Sequence, residues 1–299
     1  MNSPKTTRAA LVLASLLVPS LAHASTTSLE SFTGYTAGVQ IDEGANLPSP
    51  TVAGYTGNWT ATNFGTQQPS VNASSLTYSD PLYVGSSGGS VGVPNNTTGG
   101  EIAAANSGRV YRTLDSTLTV NGTTAGTIYM SFLFQSGQET GLTTYQTLHL
   151  NQGTNGDANR TFDLGITTNG DLDGNEYGFG VNGNYGTGTA QELGTANASV
   201  HLFVVKFDLS ASAGGDSVTA WFDPTLNGVG DPAGGVTVAG QDLVWDTLML
   251  SDYDGNSASW DEIHWGTDFN SVTVAAVPES SSALLGSLGV FALMRRRRK

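Results

Sequence analysis

The sequence contains no cysteine, and basic residues are scarce except at its two ends. Without a thiol the chain forms no disulfide, has no cysteine nucleophile and offers no thiolate to a metal. Residues 25–276 hold four basic residues against 24 acidic ones, a net charge of −20; the four are Arg109, Arg112, Arg160 and Lys206. A body of this charge repels phosphate backbones, so we expect no nucleic-acid partner.

Several catalytic signatures are also missing. His149, His201 and His264 are far apart in the sequence, and neither His-x-x-x-His nor Gly-x-Ser-x-Gly occurs. The glycine-rich stretches lack the lysine that a phosphate-binding loop needs. These absences argue against the common zinc, serine-hydrolase and nucleotide-binding sites.

The amino terminus is typical of a secretory signal peptide. Lys5 and Arg8 precede an apolar run over residues 9–21, and Ala22-His23-Ala24 form a small-x-small cleavage site. The run is shorter than the roughly 17 to 25 residues that span a bilayer. We expect residues 1–24 to be removed on export.

The carboxyl terminus has the opposite layout, an uncharged apolar stretch over residues 280–294 followed by five basic residues. Guanidinium groups cross hydrocarbon at high cost, so these residues predict a membrane stop held on the cytoplasmic side: Arg295, Arg296, Arg297, Arg298 and Lys299.

Val277-Pro278-Glu279, the apolar stretch with Gly286 and Gly289, and the arginine-rich end together resemble the PEP-CTERM sorting signal of Gram-negative bacteria. The resemblance implies that residues 276–299 form a sorting tail with a short transmembrane helix, read by a membrane exosortase. It implies transient residence in the inner membrane and delivery to the cell envelope, the cell surface or the extracellular space. A plain anchor that is not processed is the alternative.

Short runs rich in β-branched and aromatic residues fill the body of the chain, each bounded by Gly, Asn or Asp. They predict an all-β, antiparallel β-sandwich, with strands at 127–134, 145–151, 160–167, 175–182, 200–209, 217–223, 243–250 and 258–265. The run at 200–209 is apolar on both faces, which favours a central strand. Asp163 and Lys206, inside such runs, are assigned to a solvent face. Shorter strands before residue 109 are expected to complete the same sandwich over residues 25–275, the best-supported part being 109–273; a separate small domain is the alternative.

Residues 201–226, followed by 260–273 with the sequence WDEIHWGTDFNSVT, resemble the closing strands of concanavalin A-like or laminin-G-like jelly-roll domains. The resemblance concerns the fold and implies no particular ligand. Some members of that fold are retaining glucanases with Glu-x-Asp-x-x-Glu on one strand. The nearest string here, residues 171–176, starts with Asp and contains a Gly-Asn turn signal, which argues against catalysis there.

Two loops offer oxygen ligands to calcium, a candidate cofactor, although plain hairpin turns are the favoured explanation of both loops. The candidate ligands are Asp171, Asp173, Glu176, Asp252 and Asp254. An extracellular polysaccharide partner would need exposed aromatic rings, for which Trp59, Tyr185 and Tyr253 are candidates. Trp260 and Trp265 are five residues apart, so on a regular strand they would face opposite sides.

The sequence therefore predicts an exported, non-enzymatic surface or matrix protein, with carbohydrate as its candidate ligand. A divergent polysaccharide-active glycoside hydrolase and a purely structural surface protein are the alternatives.

Overall fold

The computed structural model describes residues 26–61, 69–80, 82–83, 91–93, 108–137, 146–153, 159–166, 172, 175–182, 189–228, 230–252 and 258–273. Their elements are β1 (Thr26–Glu30), a 3₁₀ turn (Gly44–Asn46), β2 (Tyr55–Ala61), β3 (Ser70–Val71), β4 (Val91–Val93), β5 (Gly108–Leu114), β6 (Gly126–Ser136), β7 (Gln146–Asn151), β8 (Arg160–Ile166), β9 (Glu176–Val181), β10 (Thr189–Thr195), β11 (Val200–Leu209), β12 (Asp216–Phe222), β13 (Val236–Gln241), β14 (Thr247–Asp252), β15 (Ala258–Gly266) and α1 (Phe269–Thr273).

The strands form two antiparallel sheets. One has eight strands in the order β13-β12-β11-β6-β15-β4-β3, with β1 paired to the last part of β15. The other has seven strands in the order β10-β9-β8-β7-β14-β5-β2. Strands from the region before residue 109 contribute to both sheets. The all-β, antiparallel prediction is confirmed.

The eight predicted runs all contain strand residues, and the run at 200–209 pairs on both sides, with β6 and β12. The prediction missed β5, β10, β13 and α1. The segment that becomes β10, TAQELGT, is poor in β-branched and aromatic residues, so propensity gives no signal there. Because β10 lies at the edge of the seven-stranded sheet and is half exposed, it forms a strand without the apolar side chains that a central strand needs.

The core lies between the two sheets and is built from alternate residues of each strand. Phe132 and Phe134 of β6 face Leu148 and Leu150 of β7, and all four are fully buried. Rings meet across the interface, as where Phe162 of β8 packs edge-on against Phe207 of β11 with centroids 5.1 Å apart. Burial of aromatic and branched side chains therefore replaces the disulfides that the chain lacks.

Trp260 and Trp265 both point into this core, so the expectation of opposite faces is wrong. The pairing of β15 with β6 shifts register between Asp261 and His264, and Glu262 has a positive φ of 51°. A β-bulge there adds one residue to β15 and resets the alternation of its side chains.

A buried ion pair ties the first strand to the opposite sheet. Arg112 Nη1 on β5 lies 2.7 Å from Glu30 Oε2 on β1, and Arg112 Nη2 donates to the Pro50 carbonyl oxygen at 2.8 Å. Burial raises the pKa of Glu30, and the charge of Arg112 opposes that shift. The pair thereby joins the eight-stranded sheet to the seven-stranded one.

The outer face of the eight-stranded sheet carries a second, smaller apolar cluster. Leu133, Leu202 and Val204 on the strands pack with Phe269 and Val272 of α1. Trp221 on β12 meets Phe269 edge-on at 5.7 Å. This sheet is therefore packed on both faces.

Candidate functional site

The outer face of the seven-stranded sheet has a different character. Leu148, Leu150, Val110 and Leu250 point into the core, so residues at the intervening positions point outward. Most of these outward positions carry polar side chains, with Met249 opposite His149 as an exception, and a register shift at the β7–β8 pairing brings Arg160 opposite Asn151. We call the following set the polar face: Arg109, Thr147, His149, Arg160, Asp163 and Ser251.

All members of the polar face are at most 6% exposed. Two of the four basic residues of the acidic body belong to it, Arg109 and Arg160. The sequence assigned Asp163 to a solvent face, and this is wrong, because Asp163 is only 1% exposed. Burial of a carboxylate is tolerated when a nearby cation offsets its lost solvation.

An arginine supplies that compensation. Arg160 Nη1 lies 3.0 Å from Asp163 Oδ2, and both side chains are almost fully buried. Removing either partner of a buried ion pair is costly, because the other charge stays in a poorly solvated place. The pair therefore holds β8 in a defined polar environment.

Hydrogen bonds connect neighbouring strands on this face. Arg109 Nε donates to Ser251 Oγ at 3.0 Å, and Ser251 stands opposite Thr147 in the β14–β7 pairing. Thr147 Oγ1 and His149 Nε2 lie 2.7 Å apart. A chain of polar groups thus runs from β5 through β14 to β7.

His149 sits at the centre of the face, opposite Asp163 on β8. Burial lowers the pKa of His149 well below its usual value, and the charges of Arg160 and Arg109 lower it further. The imidazole is therefore neutral around pH 7, with one nitrogen able to donate and the other able to accept a hydrogen bond.

Glycines continue the face beyond His149 and Thr147. Gly165 lies opposite Thr147, and Gly178 opposite Gly165. A Cβ at Gly165 would lie 2.3 Å from the Gln146 carbonyl oxygen, and one at Gly178 would lie 2.6 Å from the Gln191 carbonyl oxygen. Both positions therefore require glycine, and the Leu172 side chain lies beside Gly178.

The sequence-predicted sugar-binding residues do not converge on the polar face. Trp59 is 1% exposed and packs in the core with its ring centroid 6.0 Å from that of Phe32, so its proposed role as an exposed ring is wrong. Tyr185 and Tyr253 lie outside the described residues.

The calcium candidates fall largely outside the described part as well. Glu176 begins β9 and Asp252 ends β14, whereas Asp171, Asp173 and Asp254 are not described. Within the described ranges, no group of three or more His, Asp or Glu side chains is placed to hold a metal ion.

The sorting motif Val277, Pro278 and Glu279 and the basic residues 295–299 also lie outside the described ranges. Among the helices that are described, none has the length and apolar character needed to cross a bilayer.

His201, on β11 of the eight-stranded sheet, is another buried histidine. Its Nδ1 lies 2.6 Å from Asp223 Oδ2 and its Nε2 lies 2.9 Å from Asn197 Oδ1. Because both ring nitrogens are engaged by the protein, His201 has the structural role expected of an isolated histidine.

Sequence reasoning missed the polar face, although one signal was present. In QTLHLN the residues Thr147, His149 and Asn151 alternate with Leu148 and Leu150, which places the three polar groups on one side of a strand. The alternation could not reveal that Arg109, Arg160 and Ser251 come beside them, because those residues are distant in sequence.

Comparison with known proteins gives distant structural similarity alone. No protein-family model matches the chain, and no curated protein matches it. Among solved structures, it is similar to a carbohydrate esterase from the Shiga toxin-encoding bacteriophage phi24B, with 12% identity over 81% of this chain and 100% of that one and a TM-score of 0.44.

It is also similar to the binding domain of botulinum neurotoxin serotype D/C, with 11% identity over 81% of this chain and 49% of that one and a TM-score of 0.43. For the serotype G binding domain the identity is 8%, the coverage 68% and 44%, and the TM-score 0.39. The chain thus spans about half the length of these toxin domains. Likeness at this level gives no basis for transferring a ligand or an activity.

Proposed function

We propose that this is an exported cell-surface or extracellular-matrix protein that binds carbohydrate through its polar face and catalyses no reaction. The observation that carries the proposal is the chemistry of that face. Two guanidinium groups, a neutral imidazole, a carboxylate and two hydroxyls come from four adjacent strands. Such groups supply the directional donors and acceptors that bind sugar hydroxyls.

A contrast within the molecule supports a binding role. The part of the eight-stranded sheet that lies beneath α1 is buried by apolar packing, whereas the bulge of β15 carries the buried polar residues Asp261 and His264. Ion pairs and hydroxyls in an equivalent position contribute less to stability than well-packed apolar side chains. Their retention is therefore better explained by recognition than by packing.

The burial of the polar face has a kinetic consequence. A ligand reaches side chains that are at most 6% exposed only when the chain that buries them moves aside. We expect a slow association that levels off at high ligand concentration, because the opening step then limits the rate.

We further infer that the sandwich is a concanavalin A-like jelly roll. The meander β7–β10 lies in one sheet and the meander β11–β13 in the other. The chain then returns through β14, between β7 and β5, and through β15, beside β6. Central placement of the last strands fits the resemblance of residues 260–273 to closing strands of that fold.

A polysaccharide-active enzyme is the second candidate, favoured by the neutral imidazole of His149 opposite the carboxylate of Asp163. Glycoside hydrolysis by two carboxylates fits less well. Asp163 stands opposite Gly180, and Glu176 lies four residues earlier on β9, which is roughly 13 Å along a strand. Glycosidases place their two carboxyl groups about 5 to 9.5 Å apart.

A glycan array probed with the exported protein, with calcium and with a chelator, tests the binding function. Thr147→Val removes the hydroxyl beside His149 and should weaken glycan binding at least tenfold. The matched control is Thr219→Val on β12 of the other sheet, whose hydroxyl lies 2.8 Å from that of Thr237; it should leave binding unchanged.

Absence of any bound glycan under both conditions would refute the binding function. Release of reducing ends from a bound glycan, lost in Asp163→Asn, would favour the enzyme instead. Glycan binding that is present with calcium and lost with the chelator would support calcium as a cofactor.

Export and sorting are proposed from the terminal sequences and are tested by intact-mass analysis of the mature protein. We expect a mass that lacks residues 1–24 and the basic residues 295–299, in keeping with exosortase processing. A mass that includes the basic tail would refute its removal and support a plain anchor.

A further inference from the structure

The outward side of β5 carries an aromatic ring beside the polar face. Val110 and Leu114 of this strand point into the core. Tyr111 and Thr113 lie at the alternate positions and point outward, as Arg109 does. Tyr111 is half-buried and Thr113 is exposed, whereas Arg109 is 3% exposed. Solvent therefore reaches the Tyr111 side chain without any movement of the chain that buries the polar face.

Packing within the described part of the molecule gives no reason for a tyrosine at position 111. The ring belongs to neither apolar cluster. No hydrogen bond engages its hydroxyl among the residues that the structure describes. Thr60, which stands opposite on β2, is exposed. An accessible, unoccupied aromatic ring at the margin of a polar site is suited to contact with a ligand.

Met249 on β14 connects Tyr111 to the polar face. It stands opposite Tyr111 in the pairing with β5 and opposite His149 in the pairing with β7. Directly opposed residues of antiparallel strands have their Cβ atoms about 5 Å apart. The three side chains thus form one row across the sheet, from the accessible ring to the buried imidazole.

Asn151 adds an amide oxygen that the described residues do not use. It alternates with His149 on the outward side of β7 and is 1% exposed. Its Nδ2 lies 3.8 Å from Met249 Sδ, and its Oδ1 has no hydrogen-bond partner among the described residues. Because a buried amide oxygen without a partner lowers stability, its presence favours a ligand that donates to it. We call Tyr111, Met249 and Asn151 the aromatic rim.

We propose that the aromatic rim binds an uncharged pyranose residue of the glycan. The Tyr111 ring stacks on a face of C–H groups of the sugar, and Asn151 Oδ1 accepts a hydrogen bond from one of its hydroxyls. This inference rests on the proposed carbohydrate binding and names the residues that select the sugar. Tyrosine supplies a large, rigid contact area at low cost in conformational entropy, and the negative face of its ring attracts C–H groups. No member of the rim carries a charge, which suits a neutral sugar better than a uronic acid.

An array that carries oligosaccharides of glucose, of galactose and of glucuronic acid tests the proposal with the full exported chain. We expect Tyr111→Ala to weaken binding to neutral oligosaccharides about tenfold, because the stacking surface is lost. Tyr111→Phe keeps the ring and should stay within about twofold of wild type. The matched control is Tyr78→Ala, which removes a half-buried tyrosine from the outer cluster of the eight-stranded sheet and should leave binding unchanged.

Asn151→Leu separates recognition from packing. Leucine has a similar size but no amide, so binding to the same oligosaccharides should weaken about fivefold. The urea midpoint should not fall, because Oδ1 loses no hydrogen bond to a described residue. A lower midpoint with normal binding would instead make Asn151 a structural residue and would remove it from the rim.

Failure of this inference and failure of the binding function give different results. Unchanged binding in Tyr111→Ala, or equal losses in Tyr111→Ala and Tyr111→Phe, would overturn the stacking role, while a loss in Thr147→Val would still support binding at the polar face. Binding to glucuronic acid oligosaccharides alone would overturn the choice of an uncharged sugar. If the wild-type protein bound no sugar on the array, the binding function itself would fail, and the inference with it. Should Tyr111→Ala fail to fold, Asn151→Leu decides.

Discussion

The outer face of the seven-stranded sheet and the part of the eight-stranded sheet beneath α1 are both buried, but their chemistry is opposite. Beneath α1, Leu133, Leu202 and Val204 form an apolar layer that packs against Phe269 and Val272. On the seven-stranded sheet, the polar face presents ion-paired and hydrogen-bonded groups. Because apolar packing is the more stabilising way to bury a surface, the comparison separates a face built for stability from one suited to recognition.

The largest effect is expected from breaking the ion pair of the polar face. Asp163→Leu leaves the buried charge of Arg160 without this carboxylate, and we expect a loss of about 3 to 5 kcal/mol in the free energy of unfolding. The double variant Asp163→Leu/Arg160→Met should recover most of that stability, within about 1 kcal/mol of wild type, because no charge is left buried by the change. Urea unfolding measures both.

Glycan binding should be lost in the double variant even though stability returns. A double variant that binds normally would show that the pair serves packing and not recognition, and the contrast between the two faces would fail.

Substitutions in the outer apolar cluster of the eight-stranded sheet should lower stability without changing glycan binding. Leu133→Ala is expected to lower the free energy of unfolding by about 3 kcal/mol, because a buried leucine is replaced by a cavity. Leu82→Ala is the control, since Leu82 is 44% exposed, and it should cost less than about 0.5 kcal/mol. Weaker glycan binding in Leu133→Ala at a temperature where it is fully folded would contradict the separation of roles.

The two faces should also respond oppositely to pH. His149 has a folded pKa well below its usual value of 6.5, so the stability it contributes is present above that pH and is lost as the pH falls. Burial raises the folded pKa of Asp261 from 3.8 to about 8, so its contribution is full below 3.8 and is lost as the pH rises to 8.

Between pH 6.5 and 8 His149 adds little pH dependence, because it is neutral in that range. The stability of the wild-type protein should therefore fall over this interval as Asp261 ionises. Asp261→Asn should flatten this fall, and His149→Gln should remove the loss on the acid side. Thermal unfolding at half-unit pH steps distinguishes the two. An unchanged acid limb in His149→Gln would mean that the histidine is not buried as a neutral group.

The smallest effect is expected at Lys206, the one basic residue of the body that is partly exposed. Its Nζ lies 3.1 Å from Asp208 Oδ2 and 3.4 Å from Asp231 Oδ2. Lys206→Ala should change the free energy of unfolding by about 0.5 kcal/mol, with no effect on glycan binding. A difference above about 2 kcal/mol, measured by urea unfolding, would show that surface ion pairs contribute substantially to the stability of this sheet.

Much of the sheet architecture could be predicted from the sequence because strand signals are local. The run at 200–209 shows by its apolar density that both its edges are paired, and the alternation in QTLHLN gives the side on which His149 lies. Residues such as Trp59 and Asp163 were assigned wrongly because exposure is not local. It depends on which segments come to lie over a strand.

The amino-acid sequence by itself determined the all-β class, the strong negative charge of the body and the dependence on burial in place of disulfides. These properties follow from composition and from the period of two along each strand, which need no knowledge of neighbours. Only the tertiary structure decided that Arg109, His149, Arg160 and Ser251 share one face, since strand order brings them together from separate parts of the chain. It also decided that Trp260 and Trp265 share the core, because one inserted residue in a strand reverses every side chain beyond it.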